Sequence, residues 1–289
     1  SSREEDFVEH LFVANTHSYI LFFTDKGKCY WVKVYDIPEG GRAAKGRAIV
    51  NLIGCEPDEK VSAFISVKEF NDDHYVVMAT EKGMVKKTKL SAYSNPRKKG
   101  IYAVEIRDGD KLIEARVSTG DNDILLGTRN GKSIRFSEEQ IRASGRKTMG
   151  VKGITLSSED DRLVGMLLIK REGTVLVATE KGFGKRTEIS QYRAQKRGGK
   201  GVLTMKTTDK VGKMVTIKEV VDKDDLMIIT NQGVLIRLPV AQIRSIGRAT
   251  QGVKLIKLGE GTLVSSITRI MSEEEEDENN NTESTEPKE

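Results

Sequence analysis

The side chains best placed to do chemistry in this chain are lysines and arginines on five glycine-containing segments. They read Gly41-Arg42-Ala43-Ala44-Lys45-Gly46-Arg47, Asn95-Pro96-Arg97-Lys98-Lys99-Gly100, Arg142-Ala143-Ser144-Gly145-Arg146-Lys147-Thr148-Met149-Gly150, Arg193-Ala194-Gln195-Lys196-Arg197-Gly198-Gly199-Lys200-Gly201 and Arg244-Ser245-Ile246-Gly247-Arg248-Ala249-Thr250-Gln251-Gly252. Cations on a backbone loosened by glycine can meet phosphate oxygens through their own N–H groups and through exposed main-chain N–H groups. Contacts of that kind neutralise a polyanion without reading bases. A second basic position, four residues after another recurring glycine, is Lys87, Arg135, Arg186 and Arg237, with Trp31 in the first case. Few aromatics sit among these cations, which disfavours single-strand binding by base stacking and points to duplex backbone.

Other chemistry is poorly provided for. His10, His17 and His74 have no zinc-binding spacing, and Cys29 and Cys55 lack a C-x-x-C pair, so no metal site, disulfide framework or cofactor is expected. Gly127-Thr128-Arg129-Asn130-Gly131-Lys132-Ser133 is one residue short of a phosphate loop and joins two strand-like runs, so it reads as a turn. Asp72-Asp73 and Asp160-Asp161 fall in expected turns and read as solvated. With no convergent acids, bases or nucleophile, catalytic residues are expected to be none. No apolar run reaches the ~20 residues of a membrane helix. The acidic start, Ser1-Ser2-Arg3-Glu4-Glu5-Asp6, is unlike a signal peptide, so a cytoplasmic, nucleoid-associated protein is expected.

The elements that would position the cations come from a repeat. An apolar run, Thr, two residues and Gly recur, with the glycines at Gly27, Gly83, Gly131, Gly182 and Gly233, stepping by 56, 48, 51 and 51 residues. A second glycine follows at Gly46, Gly100, Gly150, Gly201 and Gly252, offset by 19 except for 17 in the second repeat. Asp-Lys-Gly, Glu-Lys-Gly and Arg-Asn-Gly between strand-like runs predict tight hairpins with φ > 0 at the glycine. Each unit adds an earlier strand (63–67, 113–117, 164–169, 215–220) and a later one (49–52, 101–105, 151–156, 202–205, 253–258). Four strands per ~50 residues in an almost purely β chain predict radial blades, because one blade cannot bury both faces alone. Equivalent loops then fall on one rim as a cationic belt. Residues 272–289 hold nine acids against Lys288; without that −8, the remainder carries +13 against +5 for the whole chain. The segment is too polar to bury a core and is expected to be a disordered acidic tail behind a domain spanning 1–271.

Glu5-Asp6-Phe7-Val8, Val13-Ala14-Asn15-Thr16-His17, Lys45-Gly46-Arg47-Ala48-Ile49-Val50-Asn51-Leu52 and Gly247-Arg248-Ala249-Thr250-Gln251-Gly252-Val253 resemble the C-terminal domain of the DNA gyrase A protein, over essentially residues 4–271. The resemblance implies a β-pinwheel, a propeller-like ring of four-stranded blades that exchange a strand with a neighbour. About five complete repeats would be present, plus part of a sixth represented by a leftover strand near 264–270, with most of the first blade lacking. It also implies wrapping of double-stranded DNA in a positive sense. The implied partners are the ATPase B subunit together with the N-terminal breakage-reunion part of the A subunit, in a holoenzyme that introduces negative supercoils. The family's hallmark heptapeptide, Gln-Arg-Arg-Gly-Gly-Lys-Gly, is similar to Gln195-Lys196-Arg197-Gly198-Gly199-Lys200-Gly201, which differs at Lys196 and stands in the fourth repeat rather than the first blade.

Two alternatives belong beside this reading. The topoisomerase IV A-subunit domain is similar but usually has a degraded box and fewer intact repeats. A protein-interaction propeller would carry apolar or aromatic anchors on the rim, where this sequence has Arg and Lys.

Overall fold

The computed structural model describes residues 14–40 and 49–270. Arg42, Lys45, Arg47 and the acidic segment 272–289 lie outside the described residues. In chain order the elements are β1 (Tyr19–Thr24), β2 (Lys28–Lys33), α1 (Ile49–Ile53), β3 (Val61–Val67), β4 (Tyr75–Thr80), β5 (Met84–Lys89), β6 (Ile101–Tyr102), β7 (Leu112–Ser118), β8 (Asp123–Thr128) and β9 (Lys132–Ser137). They continue as β10 (Val151–Lys152), β11 (Leu163–Ile169), β12 (Thr174–Thr179), β13 (Phe183–Glu188), β14 (Val202–Leu203), β15 (Met214–Val220), β16 (Asp225–Thr230), β17 (Leu235–Pro239), β18 (Val253–Lys254) and β19 (Val264–Ile270). A short 3-10 turn follows the second hairpin strand in every repeat, at 34–36, 90–93, 138–140, 189–191 and 240–242.

Each blade grows from a hairpin. The repeated Thr has a specific job there: its Oγ1 accepts the N–H of the residue after the glycine, as in Lys28 to Thr24, Met84 to Thr80, Lys132 to Thr128, Phe183 to Thr179 and Val234 to Thr230, at 3.1–3.3 Å. The turn glycine has φ near +80°, for example +85° at Gly131, which few residues with a Cβ tolerate. The first hairpin strand is then paired on its other side by the long strand that precedes the next hairpin, giving sheets β3-β1-β2-β6, β7-β4-β5-β10, β11-β8-β9-β14, β15-β12-β13-β18 and β19-β16-β17.

The fourth strand is exchanged: β6, β10, β14 and β18 belong in sequence to the next repeat but pair with β2, β5, β9 and β13. Only two residues of each pair, shorter than the expected 101–105, 151–156, 202–205 and 253–258. Beyond them the chain passes over the receiving blade's hairpin turn, where the Gly27, Gly83, Gly131 and Gly182 carbonyls each accept two main-chain N–H groups. Exchange also accounts for two further differences. Residues 49–52, expected as a strand, form the helix α1, because among the described residues there is no preceding blade to receive them. The strand 264–270, expected as a remnant of a sixth blade, pairs with β16 and completes the inner side of the fifth, which has three strands.

The strands β3, β7, β11, β15 and β19 pack successively against one another and so form the inner end of the blades; the two-residue strands form the outer end. The ring's core is a series of layers between neighbouring blades. Leu21, Phe23, Met78 and Tyr93 fill the first, Ile124, Ile134, Phe136 and Met166 the second, Leu125, Val177, Tyr192 and Ile217 the third, and Leu226, Ile228, Val240 and Ile256 the fourth. Burying both faces of β1, β4, β8 and β12 is why these strands read as continuous apolar runs rather than alternating ones.

Candidate nucleic-acid interface

The basic loops of the third, fourth and fifth repeats leave their 3-10 turns beside the preceding blade, run along that blade's outer half, and end in the strands they donate. The Ser144, Gln195 and Ile246 N–H groups donate to the carbonyls of Lys87, Arg135 and Arg186 at 2.7–2.8 Å. One arginine per loop then clasps the strand donated by the loop before: Arg146 Nη1 donates to Tyr102 O at 3.0 Å, Arg197 Nη1 to Lys152 O at 2.6 Å, and Arg248 Nη1 to Leu203 O. Arg197 Nε also donates to Gln140 O at 3.1 Å, and Arg248 Nε to Gln191 O at 3.1 Å. Arg146, Arg197 and Arg248 are accordingly half-buried.

Two buried lysines that the sequence reading missed fasten the loops from below. Lys86 Nζ donates to Ala103 O and Arg146 O, both at 2.6 Å, and Lys185 Nζ donates to Gly247 O at 2.9 Å, to Arg248 O and to Thr250 O at 3.2 Å. Burial, and then the Arg146 charge, pushes Lys86 down to about 7; burial, and then the Arg248 charge, pushes Lys185 down to about 8. The signal was present as the doublets Lys86-Lys87 and Lys185-Arg186, in which alternation sends the two members to opposite faces of the blade.

The second series of cations is placed differently from the expected rim. Lys87, Arg135 and Arg186 each reach the next repeat's 3-10 turn: Lys87 Nζ donates to Glu138 O at 3.2 Å, Arg135 Nη1 to Ile189 O and Tyr192 O at 3.3 and 3.1 Å, and Arg186 Nε to Ile243 O at 3.0 Å. They are also ion-paired, with Glu138, Asp123 and Asp222 respectively. Trp31 takes the same blade-to-blade role, packing on Tyr19 and on Phe70 of the next repeat. Arg237 has no following turn to grip among the described residues; it pairs with Asp225 at 2.5 Å and stays 63 % exposed. Three of these four cations therefore link blades, because a cation at this point in the second hairpin strand faces the free carbonyls of the neighbouring turn.

Lys87→Ala is therefore expected to act on stability. Glu138 is fully buried and keeps hydrogen bonds from Ser118 Oγ and the Gly120 and Asn122 N–H groups, so the loss should be about 3 kcal/mol, the lower end for removing one member of a buried pair. Urea unfolding would measure it. An unchanged salt dependence of DNA binding, in conditions where the variant is folded, would separate this role from phosphate contact.

Exposed cations recur on the loops and the outer strands. Arg97, Lys98 and Lys99 are exposed in the second repeat, Arg142 and Lys147 in the third, Arg193, Lys196 and Lys200 in the fourth, and Arg244 in the fifth. The outer strands add Lys152 and Lys254, which the sequence reading left out although each stands two residues after a loop glycine. Apolar surface joins them: Tyr102 is 52 % exposed, with Lys147 Nζ 5.5 Å from its ring centre, and Val151 and Val253 are partly exposed. Within 195–201, the Gln195 carboxamide oxygen is buried without a partner, while Gly198 donates its N–H to Gly153 O at 2.8 Å. Gly201, at φ +73°, brings its backbone so close to Ser133 that an added Cβ would lie 2.3 Å from the Ser133 carbonyl oxygen. This glycine marks where the chain crosses to the neighbouring blade.

The repeat is shared with known proteins. The family described as "DNA gyrase C-terminal domain, beta-propeller" matches residues 18–68, 74–119, 122–170, 173–220 and 224–270, each match being one hairpin with the long strand that completes its inner side. The DNA gyrase A subunit of Staphylococcus epidermidis is 45% identical over 274 residues, covering 94% of this chain, and that of Salmonella typhimurium is 42% identical over 268 residues, covering 93%. The chain spans 31% and 30% of the length of these relatives. A solved DNA gyrase A C-terminal domain superposes with a TM-score of 0.78 at 23% identity, covering 89% of this chain and 84% of that one. The C-terminal domain of a DNA topoisomerase IV superposes with a TM-score of 0.83 at 25% identity, covering 93% and 85%. With five matched repeats and relatives above 40% identity along nearly its whole length, the chain belongs to the DNA gyrase C-terminal domain family.

Proposed function

We propose that the chain binds duplex DNA along its outer rim without sequence preference and wraps it, serving as the DNA-wrapping part of a gyrase A protein. In the holoenzyme the ATPase B subunit, with the breakage-reunion part of the A protein, carries the catalysis, and this domain supplies none. The carrying observation is the recurrence of exposed cations on loops that follow one another from blade to blade, three of them clasped to the strand donated before. Side chains on a braced backbone meet phosphates without first having to be ordered. A topoisomerase IV A-subunit domain would share this rim; the gyrase A relatives at 42–45% identity favour gyrase.

A salt series of duplex affinity tests the reading. Six or more phosphate contacts give a slope of log K against log salt steeper than about −5, at ~0.9 per contact, and similar slopes for unrelated sequences. A slope shallower than about −2 would remove the proposal. The acidic segment 272–289, carrying −8 beside a +13 remainder, competes with DNA for the rim as a tethered polyanion. Truncation after Met271 is expected to tighten DNA binding, most strongly at low salt. Equal affinities across the series would assign the segment another role.

A further inference from the structure

One position at the outer end of every four-stranded blade carries a matched pair of side chains. The first residue of the second hairpin strand stands directly opposite the second residue of the donated strand: Lys28 with Tyr102, Met84 with Lys152, Lys132 with Leu203, and Phe183 with Lys254. Residues opposite each other across antiparallel strands point to the same side of the sheet and lie side by side.

Every pair is one lysine and one large apolar residue, but the two exchange strands. The lysine is on the hairpin in the first and third blades and on the donated strand in the second and fourth. Neither backbone position therefore dictates its residue, since each accepts a lysine in two blades and an apolar side chain in the other two. What recurs is the combination. In the fifth blade the hairpin position holds Val234, 49 % exposed, and no donated strand is described opposite it.

Packing within the blade accounts for only part of this. A lysine stem can lie along an apolar neighbour while its ammonium stays in water, and Lys254 Nζ stands 5.7 Å from the centre of the Phe183 ring. Such packing leaves the charge unused: none of the four ammonium groups makes a hydrogen bond or ion pair among the described residues. Three residues further along the same hairpin strands, Lys87, Arg135 and Arg186 are all ion-paired. The apolar members also keep contact with water, Tyr102 being exposed and Met84, Leu203 and Phe183 half-buried. Each donated member stands two residues after a loop glycine, Gly100, Gly150, Gly201 or Gly252, so every pair adjoins a cationic loop of the rim.

We propose that each pair is a contact unit for one nucleotide of a duplex backbone, the lysine taking the phosphate and the apolar partner packing on the adjoining deoxyribose. Neighbouring strands lie about 4.8 Å apart, a spacing that sets the two side chains against a phosphate and the sugar bonded to it. On the reading of the rim as a duplex-binding surface, on which this assignment rests, the units add recognition of the sugar, a group that charge alone does not select. Phosphate and sugar are the same for every base, so the units carry no sequence preference.

Equilibrium binding to duplex DNA and to inorganic polyphosphate, which has the charge and no sugar, separates the two halves of the unit. Tyr102→Ser with Leu203→Ser keeps every charge. It should weaken duplex binding roughly tenfold with the salt slope unchanged, and leave polyphosphate binding as in the parent chain. Lys152→Met with Lys254→Met should instead reduce the salt slope on DNA by at most about 1.8, at ~0.9 per phosphate, and weaken polyphosphate binding as well. The single Tyr102→Ser variant, at a side chain already exposed, gives a reading that does not depend on how the blade tolerates a change at Leu203; it should show the same pattern with a smaller loss. Duplex affinity unchanged in both serine variants overturns the proposal. So does an equal loss on DNA and polyphosphate, which would mean a disturbed rim rather than a lost sugar contact. A shallow salt slope for the parent chain on duplex DNA would remove the duplex-binding reading itself, and the contact units with it.

Discussion

Closed circular DNA relaxed by a separate topoisomerase while saturated with this chain should keep a linking-number difference after the protein is removed, of the positive sense that the family resemblance implies. The expectation rests on the rim's geometry and on the stiffness of the polymer. Duplex DNA has a persistence length of about 150 bp, and bending 20–30 bp by 40–90° costs on the order of 1–6 kcal/mol. Only contacts distributed along the curve can offset that cost, and only if the surface carrying them does not yield. The arginine clasps to Tyr102, Lys152 and Leu203, together with the inter-blade links from Lys87, Arg135 and Arg186, hold the loops against such yielding. A flat linking number at saturating chain would mean adhesion without wrapping. A difference that disappears when the inter-blade links are removed, with binding retained, would show that rigidity and charge contribute separately.

Neutralising the exposed cations of the fourth-repeat loop should weaken wrapping more than neutralising those of the second. Lys196→Ala with Lys200→Ala removes two exposed charges and should reduce the salt slope by at most about 1.8, at ~0.9 per phosphate, and alike for different duplexes. Arg197→Ala is a different experiment, because Arg197 also holds Gln140 O and Lys152 O; it should lower stability and distort the loop as well as removing charge. The two glycines separate in the same way. Gly198 sits at φ +83°, where alanine is strained, while a Cβ on Gly199 would meet only Ile134 Cδ1 and Lys196 O at an ordinary 3.5 Å. Gly198→Ala should therefore reduce wrapping with all charges retained, and Gly199→Ala should not. The reference is Arg97, Lys98 and Lys99 replaced together by Ala. Equal loss of affinity and linking number from the two loops would leave the stretch 195–201 with no special role. Disproportionate loss of wrapping in the fourth-repeat variant would make that loop a fastening point for the DNA path.

Read alone, the sequence determined the repeat, the hairpins and the existence of the cationic loops. The signals are local: Thr and Gly at fixed spacing encode a turn whose hydrogen bond closes within five residues, and apolar runs such as Leu21–Phe23 and Ile124–Leu126 encode strands buried on both faces. Which blade each strand joins was decided by the tertiary structure. Strands 101–102 and 264–270 look equally plausible in several frames, since pairing between segments distant in sequence leaves no mark on local pattern; β6 answers to β2 and β19 to β16. Residues 49–53 show the same dependence, taking a helical turn where no acceptor strand is described. The tertiary structure also sorted the cations. Lys99 and Lys87 are the same residue type a few positions from a glycine, yet one is exposed and the other sits beside a buried carboxylate. Sequence spacing gives the strand position of a charge, but whether that charge faces solvent, a neighbouring turn's carbonyls or another cation depends on the blade packed against it, and that contact forms only when the ring assembles.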